Sequence, residues 1–453
     1  FTRMEARTGL TFTFDEYTDY AKWQAAKQKM FETGELPDVL FKAALTTDEQ
    51  LRYSESGQLI DLAPLLEENA PNLWALLQAH PDWRDSITLP DGKIVALPAL
   101  NEMPGQNAMW INKTWLDKLK LDVPTDAQSL RAVLEAFKTG DPNQNGKADE
   151  IPLSYLGVWD IKFLSHAFGL VANDYNIYVD ETGAVQFLPA QQGFRELVEY
   201  LAGLYRDGLL DPQGFYTSDS LRTVTDSDAA ATYGVFFGPN PMNLLTFDLS
   251  KQYVMLEPLS YNGSQIYRDL LGCVTRGTFA ITSACADPAA LLRWVDVLYG
   301  AEGAAEALAG TEGVDYEVDE DGSWSYAGGE EKMTSTVLYS LSIYDSGDMP
   351  WLFPLEFYSR YAMDTLRDIN QSLMKLQTLV VKPFPDYVLT DEQRAEIAPL
   401  QSALATTVDE SMGRFILGQV ELSDETWSAF QQSLTGADEL TAFWQKIYDG
   451  LQK

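Results

Sequence analysis

The opening of the chain alternates between the two periods of regular structure, and that alternation limits the fold more than any other feature. Leu10 to Phe14 alternates as a strand does, Tyr17 to Phe31 repeats at helical spacing, and Gly34-Glu-Leu-Pro-Asp-Val-Leu-Phe41 reads as a turn entering a buried strand. Strands alternating with helices imply an α/β fold on a parallel sheet, with its ligand crevice at the carboxyl ends of the strands. At 453 residues the chain is too long for one ordinary core, so two or three domains are expected.

The same alternation continues. Leu89-Pro-Asp-Gly-Lys-Ile-Val-Ala-Leu-Pro98 reads as a hairpin turn entering a strand, Ala108 to Asn112 as a strand, and Trp115 to Leu121 as a short helix. A hairpin is expected over Asn176–Asp180 and Val185–Leu188, and strands over Ala231–Phe237 and Thr278–Thr282. Val314 to Trp324 reads as a small exposed hairpin, and from Glu356 to Lys453 the pattern is mostly helical. Phe1 to Gly9 reads as the end of a helix stopped by glycine, so the chain is expected to begin inside its first structural unit.

The most sharply defined local motif is Asp141-Pro-Asn-Gln-Asn-Gly-Lys-Ala-Asp-Glu150. Asp141, Asn143 and Asn145 offer side-chain oxygens at alternate positions, Gly146 permits a sharp turn, and Lys147 can turn its carbonyl inward, as in the first half of an EF-hand. The bidentate glutamate that closes an EF-hand is replaced by Pro152, so Asp149 and Glu150 must supply the last oxygens. Three carboxylates, two amides and one carbonyl suffice for a structural calcium ion, expected here to staple two helices. A turn rich in Asp, Asn and Gly that holds no ion is the alternative. Thr125 to Gln128 has the form of a capping box for the helix that runs into the loop.

Charge excludes some partners. With 32 basic and 67 acidic residues the formal charge is −35, a field that repels phosphate backbones and anionic lipid. A basic pocket would have to be assembled from scattered arginines such as Arg222, Arg268, Arg276, Arg360 and Arg367. Cys273 and Cys285 show neither a C-x-x-C nor a zinc pattern, and two free thiols are expected. No apolar run approaches the roughly 18 residues of a membrane span. G-x-S-x-G, Walker A, G-x-G-x-x-G and H-E-x-x-H are absent and His80 and His166 read as structural, so no catalytic role is expected.

In order and spacing, Gly34 to Asp38, Gly57-Gln-Leu-Ile-Asp-Leu62, Gly92 to Pro98, Trp115 to Leu119, Asp141 to Pro152, Tyr205-Arg-Asp-Gly-Leu-Leu-Asp211, Gly277 to Thr282 and Phe415-Ile-Leu-Gly418 resemble the family 1 extracellular solute-binding proteins of bacterial ABC importers. The calcium loop makes the chain similar to the alginate-binding and lipoprotein-type oligosaccharide-binding branch, where a similar loop holds calcium. The resemblance implies a two-lobed, periplasmic-binding-protein-like (type II) fold with a ligand cleft between lobes. The N-terminal lobe would comprise residues 1–105 and 270–325, and the C-terminal lobe 106–269 and 326–453. It further implies a monomeric, non-catalytic protein outside the cytoplasm or in the periplasm, lipid-anchored in full-length form, that closes on an oligosaccharide and delivers it to permease subunits.

Sugars pack their C–H faces on aromatic rings and need amide and carboxylate partners for their hydroxyls. The candidate contacts are Trp110, Trp159, Trp351, Phe237, Asn240 and Tyr358, with Glu16 and Tyr17 at the end of the second β-strand unit. For most of the 11 Trp, 22 Tyr and 21 Phe the ordinary fate is core packing. The acidic balance favours a neutral oligosaccharide over a uronate. A peptide receptor, a glycan-binding surface protein without transport and a glycoside hydrolase using two carboxylates are the alternatives.

Overall fold

Eight residues, Val274–Ile281, form the longest strand of the first unit, and both its neighbours run against it. Val39–Phe41 pairs antiparallel along one edge, Val39 opposite Ile281, and Leu97–Leu100 antiparallel along the other, with a register shift between Thr275 and Phe279. The expected β-α-β opening lacks its first strand; the helix Tyr20–Thr33 does lead into Val39–Phe41, which is parallel to Leu97–Leu100 only across an antiparallel strand drawn from far along the chain. The computed structural model describes residues 2–102, 107–215, 232–238, 240–268, 274–328, 349–381, 383–385 and 387–451.

The chain divides into two compact units, Phe1–Met103 with Gly272–Arg367 and Asp386–Arg394, and Pro104–Leu271 with Asp368–Pro385 and Ala395–Lys453. The expected division placed everything beyond residue 325 in the C-terminal lobe, and this needs correction. Leu352 bridges Leu100, Trp324 bridges Tyr361, and the Trp351 carbonyl accepts from the Leu100 N–H at 2.7 Å, so the segment up to Arg367 packs with the first unit.

In the first unit Lys27 is fully buried on the helix Tyr20–Thr33. Its ammonium donates to the Ala44 carbonyl and to Glu49, each at 2.8 Å, which offsets the desolvation of the charge. Glu49 also closes the capping box of the helix Thr47–Glu55 with Thr46. The helix Thr2–Thr8 stops at Gly9 (φ +74°), as glycine permits. Leu10–Phe14 forms no strand; Phe12 instead packs its ring 4.7 Å from Trp294.

The second unit holds a four-stranded sheet in the order Ile151–Ser154, Tyr233–Gly238, Ala108–Asn112, Tyr253–Leu256, with only the first pair parallel. Helix Ala127–Thr139 buries Leu130, Val133, Leu134 and Phe137. Its capping box is Asp126 with Ser129, one residue later than the Thr125–Gln128 reading. The hairpin Ile177–Val179/Val185–Phe187 forms as expected and is held by Gln445, which accepts from the Val185 N–H and donates to the Gly183 carbonyl. Among the described residues no helix is long and apolar enough to cross a membrane. Cys285 is a free, half-buried thiol; Cys273 and Arg222 lie outside the described residues.

Candidate functional site

A cavity of about 490 Å³ opens in the first unit, between the hairpin Tyr316–Val318/Trp324–Tyr326, the helix Ala301–Ala309 and the segment 352–360. The hairpin closes through the Gly322 N–H donating to the Asp319 carbonyl at 2.9 Å, with Gly322 at φ +82°. That turn delivers Trp324 inward. The indole N–H of Trp324 donates to the Phe357 carbonyl at 2.7 Å, its ring stacks on Phe357 at 4.5 Å and 13°, and its other contacts include Tyr361 at 4.5 Å. Tyr316 meets Phe357 edge-on at 5.3 Å. Phe357 is therefore half-buried on a rigid aromatic base, in the geometry that suits stacking of an apolar ligand face.

Polar groups surround this platform. Glu102, Glu312 and Glu356 line the cavity together with Arg360, whose guanidinium lies 3.9 Å from the Glu356 carboxylate. Carboxylates accept only, and a guanidinium donates only, so the pair of types serves both halves of a hydroxyl's hydrogen bonding. Glu302, also at the wall, is held by Arg7 at 3.1 Å.

The structure sorts the expected ligand contacts. Trp351 is 2% exposed and meets Phe353 edge-on at 5.8 Å; Phe353 also meets the half-buried Tyr358 at 5.3 Å. Trp351 packs beneath its segment and presents no free face, and the cavity lining falls to Phe353 and Phe357. Trp110 and Phe237 are each 1% exposed in the second unit's sheet, and the Trp110 indole donates to the Gly238 carbonyl at 2.7 Å. Both are corrected to packing residues in this structure. Asn240 caps the turn Pro241–Asn243, accepting from the Met242 N–H at 2.8 Å. Trp159 is 50% exposed beside Gly157, where a Cβ would come within 3.1 Å of its ring. Glu16 and Tyr17 are exposed, with the Tyr17 ring 5.5 Å from Trp23. Tyr316 and Trp324 lie on the hairpin expected to be exposed, yet both are buried, and Trp324 and Tyr326, two residues apart on one strand, are the local signal of its inward face.

The loop 141–150 joins the helix Ala127–Thr139 to the strand Ile151–Ser154, not to a second helix. Asp141 (φ +45°), Gln144 (φ +61°) and Gly146 (φ +72°) curl the backbone. Asp141 accepts from the N–H groups of Asn145 and Gly146, Asn143 from that of Asn145, and Asn145 from that of Lys147, all within 3.2 Å. Each of these oxygens keeps a second lone pair. The amides of Asn143 and Asn145 converge on Asp149 at 3.0 Å and hold its carboxyl below the usual carboxylate range. Glu150 Oε1 is buried without a hydrogen-bond partner among the described residues. No group of three or more His, Cys, Asp or Glu is gathered to hold a metal among those residues, so the fit rests on amide and carboxylate oxygens together. That set suits a hard, oxygen-seeking cation.

His166 is buried with Nδ1 donating to the Phe163 carbonyl at 2.7 Å, and His80 stacks on Trp83 at 3.9 Å. His80 Nε2 also lies 3.6 Å from a carboxylate oxygen of Glu102, at the wall of the cavity.

Comparison with known proteins agrees with this architecture. The family model described as bacterial extracellular solute-binding protein matches residues 1–264. The fructooligosaccharide ABC transporter substrate-binding protein FusA of Streptococcus pneumoniae is 27% identical, the match covering 99% of this chain and 86% of FusA. The structure of FusA with kestose superposes with a TM-score of 0.69 at 25% identity, covering 100% of this chain and 95% of that one; FusA has also been solved as an EF-hand mutant with fructo-nystose. An extracellular solute-binding protein from Bifidobacterium longum subsp. infantis shares the fold at TM-score 0.78 and 22% identity, over 100% and 94% of the two chains. The alginate-binding protein AlgQ2, solved without calcium ion, shares it at 0.64 and 21%, over 94% and 89%. With the two-lobed α/β architecture of these structures and a family match over more than half its length, this chain belongs to the bacterial extracellular solute-binding proteins.

Proposed function

We propose that the chain is the substrate-binding subunit of a bacterial ABC importer, which captures a short neutral oligosaccharide outside the cytoplasm and passes it unchanged to the membrane permease. The observation that carries this reading is the cavity, whose backed aromatic platform and carboxylate wall match the two chemistries of a sugar ring. Its volume of about 490 Å³ lies within the roughly 300–1,000 Å³ of small-ligand sites. The kestose bound by FusA is itself neutral, and a formal charge of −35 disfavours a polyuronate. Binding would favour a closed form of the two lobes to the extent that the sugar contacts both.

Calorimetric titration with kestose, nystose and other neutral oligosaccharides, beside alginate and pectin fragments, tests the reading. Saturable binding of at least one neutral sugar is expected, with a raised melting temperature and no new reducing ends. Turnover, or tight binding of uronates alone, would overturn it.

We propose also that the loop holds a structural calcium through Asp141, Asn143, Asn145, the Lys147 carbonyl, Asp149 and Glu150, fixing the helix end to the strand that follows. At a tenfold excess of calcium over its Kd the stabilisation is ~1.4 kcal/mol. The melting temperature should rise with calcium and fall back with EDTA, and Asp149→Ala should abolish the response. Equal melting curves in calcium and EDTA, with no calcium found by mass spectrometry, would sink the assignment.

A further inference from the structure

We propose that Asp160 is a positioning residue for the hinge. Through Asn107 and Tyr267 it ties together, within the second unit, chain segments that lead to the first, and its proton occupancy sets how readily that knot opens. The inference uses the two-unit reading above but needs no ligand for its first test.

The chain passes between units after residues 103, 271, 367, 385 and 394. Asn107 lies just beyond the first passage, and its side-chain amide donates to Asp160 Oδ1 at 2.8 Å. The Asn107 carbonyl accepts from the Tyr267 hydroxyl. Tyr267 belongs to the short strand Tyr267–Arg268 shortly before the second passage, which pairs in parallel with Val380–Val381 before the fourth. The Tyr267 N–H also donates to the Leu379 carbonyl at 2.9 Å. One hydrogen-bonded knot therefore gathers segments that lie close in sequence to three of the five passages. Hinges are a few residues at element ends that absorb backbone rotation, and a knot of this kind decides where that rotation starts.

Asp160 is 1% exposed, and its second oxygen accepts from the Leu156 N–H at 2.9 Å. Among the described residues it makes no ion pair, because the nearby cations are committed elsewhere. Lys162, at the start of the 3-10 helix that follows, pairs with Asp409 at 2.9 Å; Arg268, from the strand, pairs with Asp174 at 2.7 Å and lies over the Phe163 ring. The titratable group that feels its charge is Tyr267, and behind that ring, 4.9 Å away, His166 is held neutral by burial, its pKa pushed down to about 4. Burial without a cation pushes the Asp160 carboxyl up to about 7.

The sign follows from linkage. The closed knot keeps the Asp160 proton up to about pH 7, whereas an opened, hydrated carboxyl loses it in the ordinary range near pH 4. Opening therefore becomes easier by up to about tenfold per pH unit between those limits, and levels off above them.

Amide hydrogen exchange on the full, unliganded chain from pH 5 to pH 8, corrected for intrinsic rates, reads this directly over residues 107–112 and 263–268. The wild type should show the rise and the plateau in both segments. Asp160→Asn should flatten the profile, while Tyr267→Phe should raise opening at every pH and keep the slope. An unchanged slope in Asp160→Asn, or exchange independent of pH in the wild type, would overturn the proposal. Kestose titration at pH 5.5 and 7.5 is the second arm: the wild-type affinity should differ between the two, and Asp160→Asn should remove the difference. A wild-type affinity equal at both, with the exchange slope present, would deny Asp160 its hinge role. Absence of kestose binding bears on the proposed ligand and leaves the exchange test standing.

Discussion

Phe357→Ala should weaken oligosaccharide binding by roughly 30- to 100-fold, as expected for a central aromatic anchor worth about 2 kcal/mol or more. The ring is half-buried, with one face on Trp324 at 4.5 Å and its edge region against Tyr316 at 5.3 Å. That base fixes the ring before a ligand arrives, so little side-chain entropy is lost on binding. Removing the ring also strips one face from Trp324, and some loss of stability will accompany the change. Phe357→Tyr keeps the stack and should retain most of the affinity, which separates the stacking role from folding. Glu312→Gln, which keeps an acceptor oxygen, should cost far less. Calorimetry with each sugar that binds the wild type, beside melting curves, makes the comparison. Unchanged affinity in Phe357→Ala would move the ligand away from this cavity, and the exposed Trp159 of the second unit would become the platform to test.

How much could be read beforehand depended on how local each feature is. The curl of the loop 141–150 was readable because its Asp, Asn and Gly residues are neighbours in sequence, and the backbone turns at Asp141, Gln144 and Gly146 among them. Helix existence was readable for the same reason, since apolar spacing such as Leu130, Val133, Leu134 and Phe137 is a local pattern. Strand partners were not. Val39–Phe41 finds its partner in 279–281, and nothing in the period of either strand encodes that pairing or its antiparallel sense. The cavity was hidden for a like reason, being assembled from Glu102, the helix at 301–309, the hairpin at 316–326 and the segment 352–360. Tryptophan was the most misleading guide. Trp110 and Trp351 are as aromatic as Trp159, yet the first two are packed away and the third is half in solvent, a difference set by which sheet face or loop the fold assigns them.

Gly277→Ala should be severely damaging to the first unit. Gly277 sits at φ +72°, where alanine is strained by about 1–2 kcal/mol on backbone grounds alone. The added Cβ would stand 2.1 Å from the Leu45 carbonyl oxygen and 2.9 Å from its carbon, and 3.0 Å from the Gln50 amide. None of these can retreat cheaply. The Leu45 N–H donates to the Gly277 carbonyl at 3.0 Å, the Ala43 N–H to the Thr278 carbonyl at 2.8 Å, and Gln50 holds the Leu45 carbonyl at 3.1 Å. Relief requires parting the longest strand of the sheet from the segment 43–45, where Ala44 is itself at φ +47°. A loss of more than ~4 kcal/mol is expected, through strain and a broken hydrogen-bond network. Gly34→Ala is the control: its φ is +76° but a Cβ there meets nothing within 4 Å, so only the backbone cost of about 1 kcal/mol should appear. Thermal unfolding of the two variants beside the wild type checks both. Near-equal melting temperatures for Gly277→Ala and Gly34→Ala would show that the strand yields around residue 277, and that the close packing of Leu45 on it does not hold the sheet in register.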